Sequence, residues 1–142
     1  MFDGSLPVDR VLAFVSGDPA LGGIVTFFGA TRGESDALHG PLLRLEYEAY
    51  RGMALNRLQE LAQAARQRWD AERIAMLHRL GPVGVGECSV AIAVACPHRG
   101  EAFEACRWLI DELKREVPIW KKDVFAEGFT RWVDPGSKER QT

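Results

Sequence analysis

The sequence predicts a single α+β domain, and three observations carry that reading. With 142 residues, 46% of them hydrophobic, the chain has the size of one ordinary domain and enough apolar side chains to bury a core without cross-links. Stretches with a two-residue apolar period alternate with stretches of helical period, in the order helix, strand, strand, helix, strand, strand, helix, hairpin. One strand, Glu87 to Cys96, is apolar on both faces and needs cover on each side. Together these give an α+β or α/β sandwich, residues 1–142, with no internal repeat and a polar tail over 134–142.

Pro7 precedes Val8, Val11, Leu12, Phe14 and Val15, a helical spacing with proline at the start and Gly17 near the stop. Gly22-Gly23 opens the β-branched and aromatic run Ile24 to Phe28, a strand that ends near Arg32. Residues 33–41 are polar, broken by Gly40-Pro41, and predict a loosely packed, mobile loop. Leu43, Leu45, Tyr47 and Ala49 then alternate with Arg44, Glu46, Glu48 and Tyr50, which predicts a strand with one apolar and one polar face. Apolar residues at 53, 55, 58, 61, 62, 65 and 69 mark a helix from Met53 to Trp69.

Arg73 to Leu80 predicts a further strand, and Gly81, Gly84 and Gly86 a turn-rich link into Glu87 to Cys96. In that last strand the small residues Ser89, Ala91, Ala93 and Ala95 form one face, against which a helix can pack closely. Glu101 to Val117 carries a helical stripe through Phe103, Cys106, Leu109, Ile110 and Leu113 that Pro118 stops. Ile119 to Phe125 and Phe129 to Val133 predict a closing hairpin around Glu127-Gly128.

Composition excludes several function classes. A formal charge of −2 offers no general basic field for nucleic acid or an anionic membrane. The longest apolar runs fall far short of the ~20 residues that span a bilayer, and the amino terminus lacks a secretory pattern, so a cytoplasmic protein is expected. Cys88, Cys96 and Cys106, odd in number and in apolar contexts, predict reduced buried thiols. Cys96 and His98 are two apart, but His39, His78, Cys88 and Cys106 lack CxxC or HxxxH spacing, so no metal site is predicted.

Three places are anion-seeking. Pro97-His98-Arg99-Gly100 joins an apolar strand to a helix, where free backbone N–H groups and the helix dipole favour a phosphate. A capping histidine beside a solvated arginine is the equal alternative. Lys114 and Lys121-Lys122 bracket an apolar segment that pulls them toward the body of the protein. Partly desolvated and near other cations, such lysines suit proton transfer or anion binding, the alternative being snorkelling cations at a helix end. Arg32 leaves an aromatic strand where its guanidinium can close over a phosphate or carboxylate. Glu46 and Glu48 share a strand face but read as solvated surface, and the glycines at 81, 84 and 86 lack nucleotide-loop spacing.

From Gly23 to Val133 the chain resembles the family of molybdopterin synthase large subunits. The resemblance rests on Val25 to Arg32, Leu45 to Tyr50 with Met53, His78 to Gly81 running into Val85 to Glu87, and His98-Arg99 with Ala102 to Ala105. It continues through Asp111 to Lys114, Val117 to Lys122 and Trp132-Val133. It implies an α/β hammerhead-type fold, with a mixed or antiparallel sheet packed by helices and a small β subdomain. It also implies a homodimer and a small ubiquitin-like sulfur-carrier subunit at each end, whose Gly-Gly tail carries a thiocarboxylate.

The implied reaction moves that sulfur to cyclic pyranopterin monophosphate, with neither metal nor cofactor. The family's pterin-phosphate contacts fall on Ala30, Thr31, Arg32, His98, Arg99, Lys114, Lys121, Lys122 and Asp123, part of the set reaching across the dimer, with Lys114 and Lys121 as catalytic groups. Asp123 stands where the family has glutamate. Two other readings remain at this point: a non-catalytic module that docks a ubiquitin-like partner, and an unrelated phosphate-ester enzyme using the same helix terminus.

Overall fold

The computed structural model of the chain describes residues 1–133; the polar tail expected over 134–142 lies outside the described residues. Helix α1 (Val8–Val15) follows Pro7, whose fixed φ suits a helix start. Strand β1 (Gly23–Ala30) comes next, then the two-residue β2 (Ser35–Asp36), β3 (Gly40–Ala49) and helix α2 (Arg51–Trp69). Strands β4 (Arg73–His78), β5 (Gly81–Gly84) and β6 (Cys88–Cys96), helix α3 (Arg99–Glu116) and the hairpin β7 (Ile119–Phe125) to β8 (Thr130–Val133) complete the order. The expected α+β class with antiparallel sheets is what the chain adopts.

The strands divide into two sheets. One is three-stranded, β1-β6-β4, with β6 central and antiparallel to both neighbours. Centrality explains why Ser89 to Cys96 are all buried. On one side of β6, Val90, Ile92, Val94 and Cys96 meet α2 and α3 in the main core. On the other, Ala93 and Ala95 pack under Val11 and Val15 of α1, so the small face does admit a helix. The second sheet runs β2-β3-β7-β8, with β5 also paired to β3, and encloses a smaller core of Leu42, Leu45, Tyr47, Leu80, Val83 and Phe125.

Five local expectations change in the structure. The 33–41 segment is a built hairpin: Ser35 and Asp36 pair with Pro41 and Gly40, and the Asp36 carboxylate accepts from the Leu38 and His39 amides at 2.8 and 3.0 Å. Its His39 stacks on Phe129 at 3.8 Å. The 81–84 stretch is a strand because Val83, fully buried, fills the second core while its neighbours pair with Arg44 to Tyr47. Leu43 is exposed, since β3 bulges between Leu42 and Arg44 and shifts the phase of its inner face to Leu42, Leu45 and Tyr47. In α2 the buried stripe is Ala54, Leu58, Leu61, Ala65 and Trp69, leaving Met53 and Leu55 outside. In α3 it is Ala102, Ala105, Cys106, Leu109 and Leu113, and Phe103 points outward. Both helices turn their small residues to the sheet, because close approach contacts more atoms than a bulky side chain held at a distance.

Candidate functional site

Strand register sorts the cations. Opposed residues of an antiparallel pair project to the same face, and β3 and β7 pair Leu45 with Asp123 and Tyr47 with Lys121. Lys121 and Asp123 therefore project inward with the buried Leu45 and Tyr47. Lys122, one residue on, projects to the opposite face. There its ammonium binds Glu46 at 3.0 Å and lies 5.4 Å from the centre of the Trp132 ring. An aromatic cleft of about 230 Å³, lined by Glu48, Ala49, Tyr50, Trp120 and Trp132, opens on that outer face, away from Lys121.

Lys114, on the last turn of α3, approaches the inner face from the helix side. Burial, and then the positive charge of Lys121, hold its ammonium down at about 8 instead of 10.5. Lys121 is also pushed down, first by burial; Asp123 opposes the shift and Arg32 adds to it. These couplings bring Lys114, Lys121, Asp123 and Arg32 into one electrostatic neighbourhood, although the chain separates Arg32 from Lys121 by most of its length. Asp123 is fully buried and accepts from the Arg131 guanidinium at 3.0 Å. Thr31, at the exit of β1, is buried and held by its amide on the Glu87 carbonyl at 3.0 Å, while its hydroxyl has no hydrogen-bond partner among the described residues. Ala30, just before it, is exposed and opposes Cys88.

His98 and Arg99 lie elsewhere. Gly23 at the start of β1 opposes Cys96, and a Cβ on Gly23 would sit 2.7 Å from the Arg99 amide nitrogen, so the α3 amino terminus rests on the beginning of β1. Arg32 follows the other end of that strand. The ladder from Gly23 to Ala30 spans roughly 25 Å at ~3.3 Å per residue. The turns of α3 from Arg99 to Lys114 span about 22 Å at 1.5 Å per residue. Two rulers agree that the predicted residues form two clusters at opposite ends of the sheet.

This geometry sits in a chain whose residues 2–116 match the family model described as MoaE protein. The chain belongs to that family. It is 49% identical to the molybdopterin synthase catalytic subunit of Arabidopsis thaliana over 85% of its own length, and spans 60% of that longer protein. It is 44% identical to molybdopterin synthase catalytic subunit 1 of Mycobacterium tuberculosis, over 92% of this chain and 86% of that one. Its fold matches the crystal structure of molybdopterin synthase from Staphylococcus aureus with a TM-score of 0.86, at 30% identity and 93% coverage of both chains.

Two further polar groups face inward outside the predicted site. Tyr47, on β3, meets the buried His78 of β4 edge-on, with ring centres 4.8 Å apart and planes at 70°. His78 opposes Val90 and shares its strand face with Ile74 and Met76, so it is a polar side chain in an otherwise apolar alternation. That break in pattern was the available signal. The three thiols are free; burial pushes Cys96 and Cys106 up to about 11, and Cys88 also upward. Among the described residues no helix is long and apolar enough to cross a membrane.

Proposed function

We propose that this chain is the catalytic subunit of a molybdopterin synthase in molybdenum cofactor biosynthesis. It moves sulfur from the thiocarboxylated Gly-Gly terminus of a small ubiquitin-like carrier subunit to cyclic pyranopterin monophosphate, making the dithiolene of molybdopterin. The observation that supports this beyond family membership is the shared desolvation of Lys114 and Lys121 beside Arg32. A thiocarboxylate and a phosphate monoester are both anions, and cations withdrawn from water attract them more strongly than solvated ones. Lys114 titrates near 8 and so exchanges a proton close to neutral pH, as acid–base work requires. In each transfer the carrier's sulfur forms a bond to a pterin side-chain carbon as the carbon–oxygen bond it replaces breaks, the oxygen leaving on the phosphate or as water. Water then cleaves the acyl–sulfur bond and the carrier leaves as a carboxylate. The buried thiols, titrating far above neutrality, are not the sulfur donors.

The substrate pocket consists of Ala30, Thr31, Arg32, Lys114, Lys121 and Asp123 from one chain, completed by His98 and Arg99 of the partner subunit in a homodimer. The 25 Å-scale gap between the clusters argues for this, because no cyclic pterin monophosphate bridges it within one chain. Strand β1 is an edge strand and exposes Ile24 and Phe28, which α1 leaves uncovered while packing on β6 and β4. An apolar edge of this kind favours burial against a second copy. Lys122, engaged by Glu46 behind the sheet, acts on the pocket only through its charge. The reaction belongs in the cytoplasm, which keeps the three thiols reduced.

Reconstitution tests this reading. The purified chain, a thiocarboxylated carrier and cyclic pyranopterin monophosphate should yield dithiolene, detected as its oxidised fluorescent derivative, only when all three are present. Lys121→Ala should abolish product while melting temperature and carrier binding stay near wild type. A stable carrier complex with no product would favour a docking module without catalysis.

A further inference from the structure

We propose that the aromatic cleft on the outer face of the second sheet is a seat for an arginine side chain, presented by a protein that docks there. The seat lies behind the sheet from Lys121 and is independent of the sulfur-transfer reading above. The sheet holds its own precedent. Across the outer face, strand register sets Glu46 opposite Lys122 and Lys122 opposite Trp132. The Lys122 ammonium accordingly sits between a carboxylate at 3.0 Å and an indole whose ring centre is 5.4 Å away.

Two residues along the strands the same pair of groups recurs. Glu48 opposes Trp120, again a carboxylate beside an indole on the outer face. Beside them lies the cleft of about 230 Å³, which Ala49, Tyr50 and Trp132 complete. The Tyr50 ring stands edge-on to Trp120, with centres 5.2 Å apart and planes at 89°, so the two rings wall the cleft at a right angle. Glu46 is engaged twice, by Arg44 and by Lys122, each at 3.0 Å. The exposed Glu48 carboxylate pairs with no cation among the described residues, and none of the residues lining the cleft is basic.

Chemistry selects the occupant. Ring faces and a carboxylate together favour a cation. A cavity smaller than the ~300 Å³ of small-molecule sites suits one side chain better than a whole cofactor. A guanidinium is planar, stacks on indole, presents a fork of donors to a carboxylate and is more weakly hydrated than an ammonium. Tyr50 and Trp132 are 64% and 51% exposed, and exposed aromatics paired with arginine are the usual anchors of protein interfaces.

The full-length chain reports on the cleft through its own indoles. Its four tryptophans are Trp69, Trp108, Trp120 and Trp132; the first two meet each other at the main core, where Trp69 donates to Glu104 at 3.0 Å, and serve as internal controls. The four indole N–H resonances, assigned by Trp→Phe variants, are followed while the blocked tripeptide acetyl-Gly-Arg-Gly-amide is added. Those of Trp120 and Trp132 should move and those of Trp69 and Trp108 stay. The citrulline peptide, alike in shape but uncharged, should bind about fivefold more weakly or worse, and Glu48→Gln should weaken the arginine peptide by roughly threefold or more. Unmoved cleft resonances, shifts shared by all four indoles, equal binding of the citrulline peptide, or a folded Glu48→Gln chain that binds arginine as the wild type does each overturn the proposal. An equal response to tetramethylammonium at the same concentration also overturns it, because the cleft is then a seat for small organic cations and not for a docking protein.

Discussion

At the scale of single residues, the proposed site sets the buried Asp123 beside half-buried lysines, and withdrawing those lysines from water costs stability. Lys114 has a folded-state pKa of about 8 against 10.5 when unfolded. Between those values the unfolded chain binds the extra proton, so stability rises with pH across that window, and below 8 the full penalty of about 3 kcal/mol is present. Lys114→Met should therefore abolish turnover and yet raise the melting temperature at pH 7, with the gain shrinking as pH approaches 10; melts at a series of pH values measure this. His78 has the same sign in a different window. Its pKa falls from 6.5 unfolded to about 4 folded, so stability is lost as pH drops from 6.5 toward 4. His78→Gln should flatten that part of the urea-denaturation stability profile, and an unchanged slope would mean that other groups drive acid unfolding.

At the scale of elements, β1 and α3 set the geometry, since each carries one of the two predicted clusters at each of its own ends. Their contact at the His98–Arg99 junction depends on Gly23, where an added Cβ would lie 2.7 Å from both the Arg99 amide nitrogen and the His98 carbonyl carbon. Those are backbone atoms and cannot rotate away. Gly23→Ala should lower stability by about 1–3 kcal/mol, as overpacking does, and weaken phosphate binding as the start of α3 lifts from the strand. Calorimetric unfolding and phosphate titration report the two effects separately. Gly29 is a milder case: its Cβ would meet a side-chain methyl of Val90 at 2.6 Å, and Val90 is itself fully buried. The bulge in β3 matters as well, because it sets the phase that turns Tyr47 inward and, through the register, Lys121 with it.

At the scale of the whole molecule, the proposed sharing of a site between two copies of the chain makes complementation the decisive experiment. Arg99→Ala and Lys121→Ala chains should each be inactive as homodimers. After mixing and subunit exchange, heterodimers contain one site free of both substitutions, and a statistical mixture should recover roughly a quarter of wild-type activity per chain. No recovery, despite exchange seen by mass spectrometry, would place each site within a single chain.

The sequence by itself determined the α+β class, the order of the main elements and the family. Those follow from local periods, proline and glycine punctuation and short motifs, each a property of neighbours along the chain. Tertiary structure decided what depends on partners far away in sequence. Residues 33–41 became a hairpin through their pairing with β3, and 81–84 became a strand because Val83 found a core that its own neighbours do not reveal. Lys121 and Lys122, adjacent in sequence and alike in charge, were sent to opposite faces by the two-residue period of β7, and only the buried company of Tyr47 shows that Lys121 is the one facing inward. The separation of His98 and Arg99 from Lys114 was already implicit in the predicted helix length, whereas the approach of Arg32 to Lys121 was not, because it joins residues of different elements far apart in the chain.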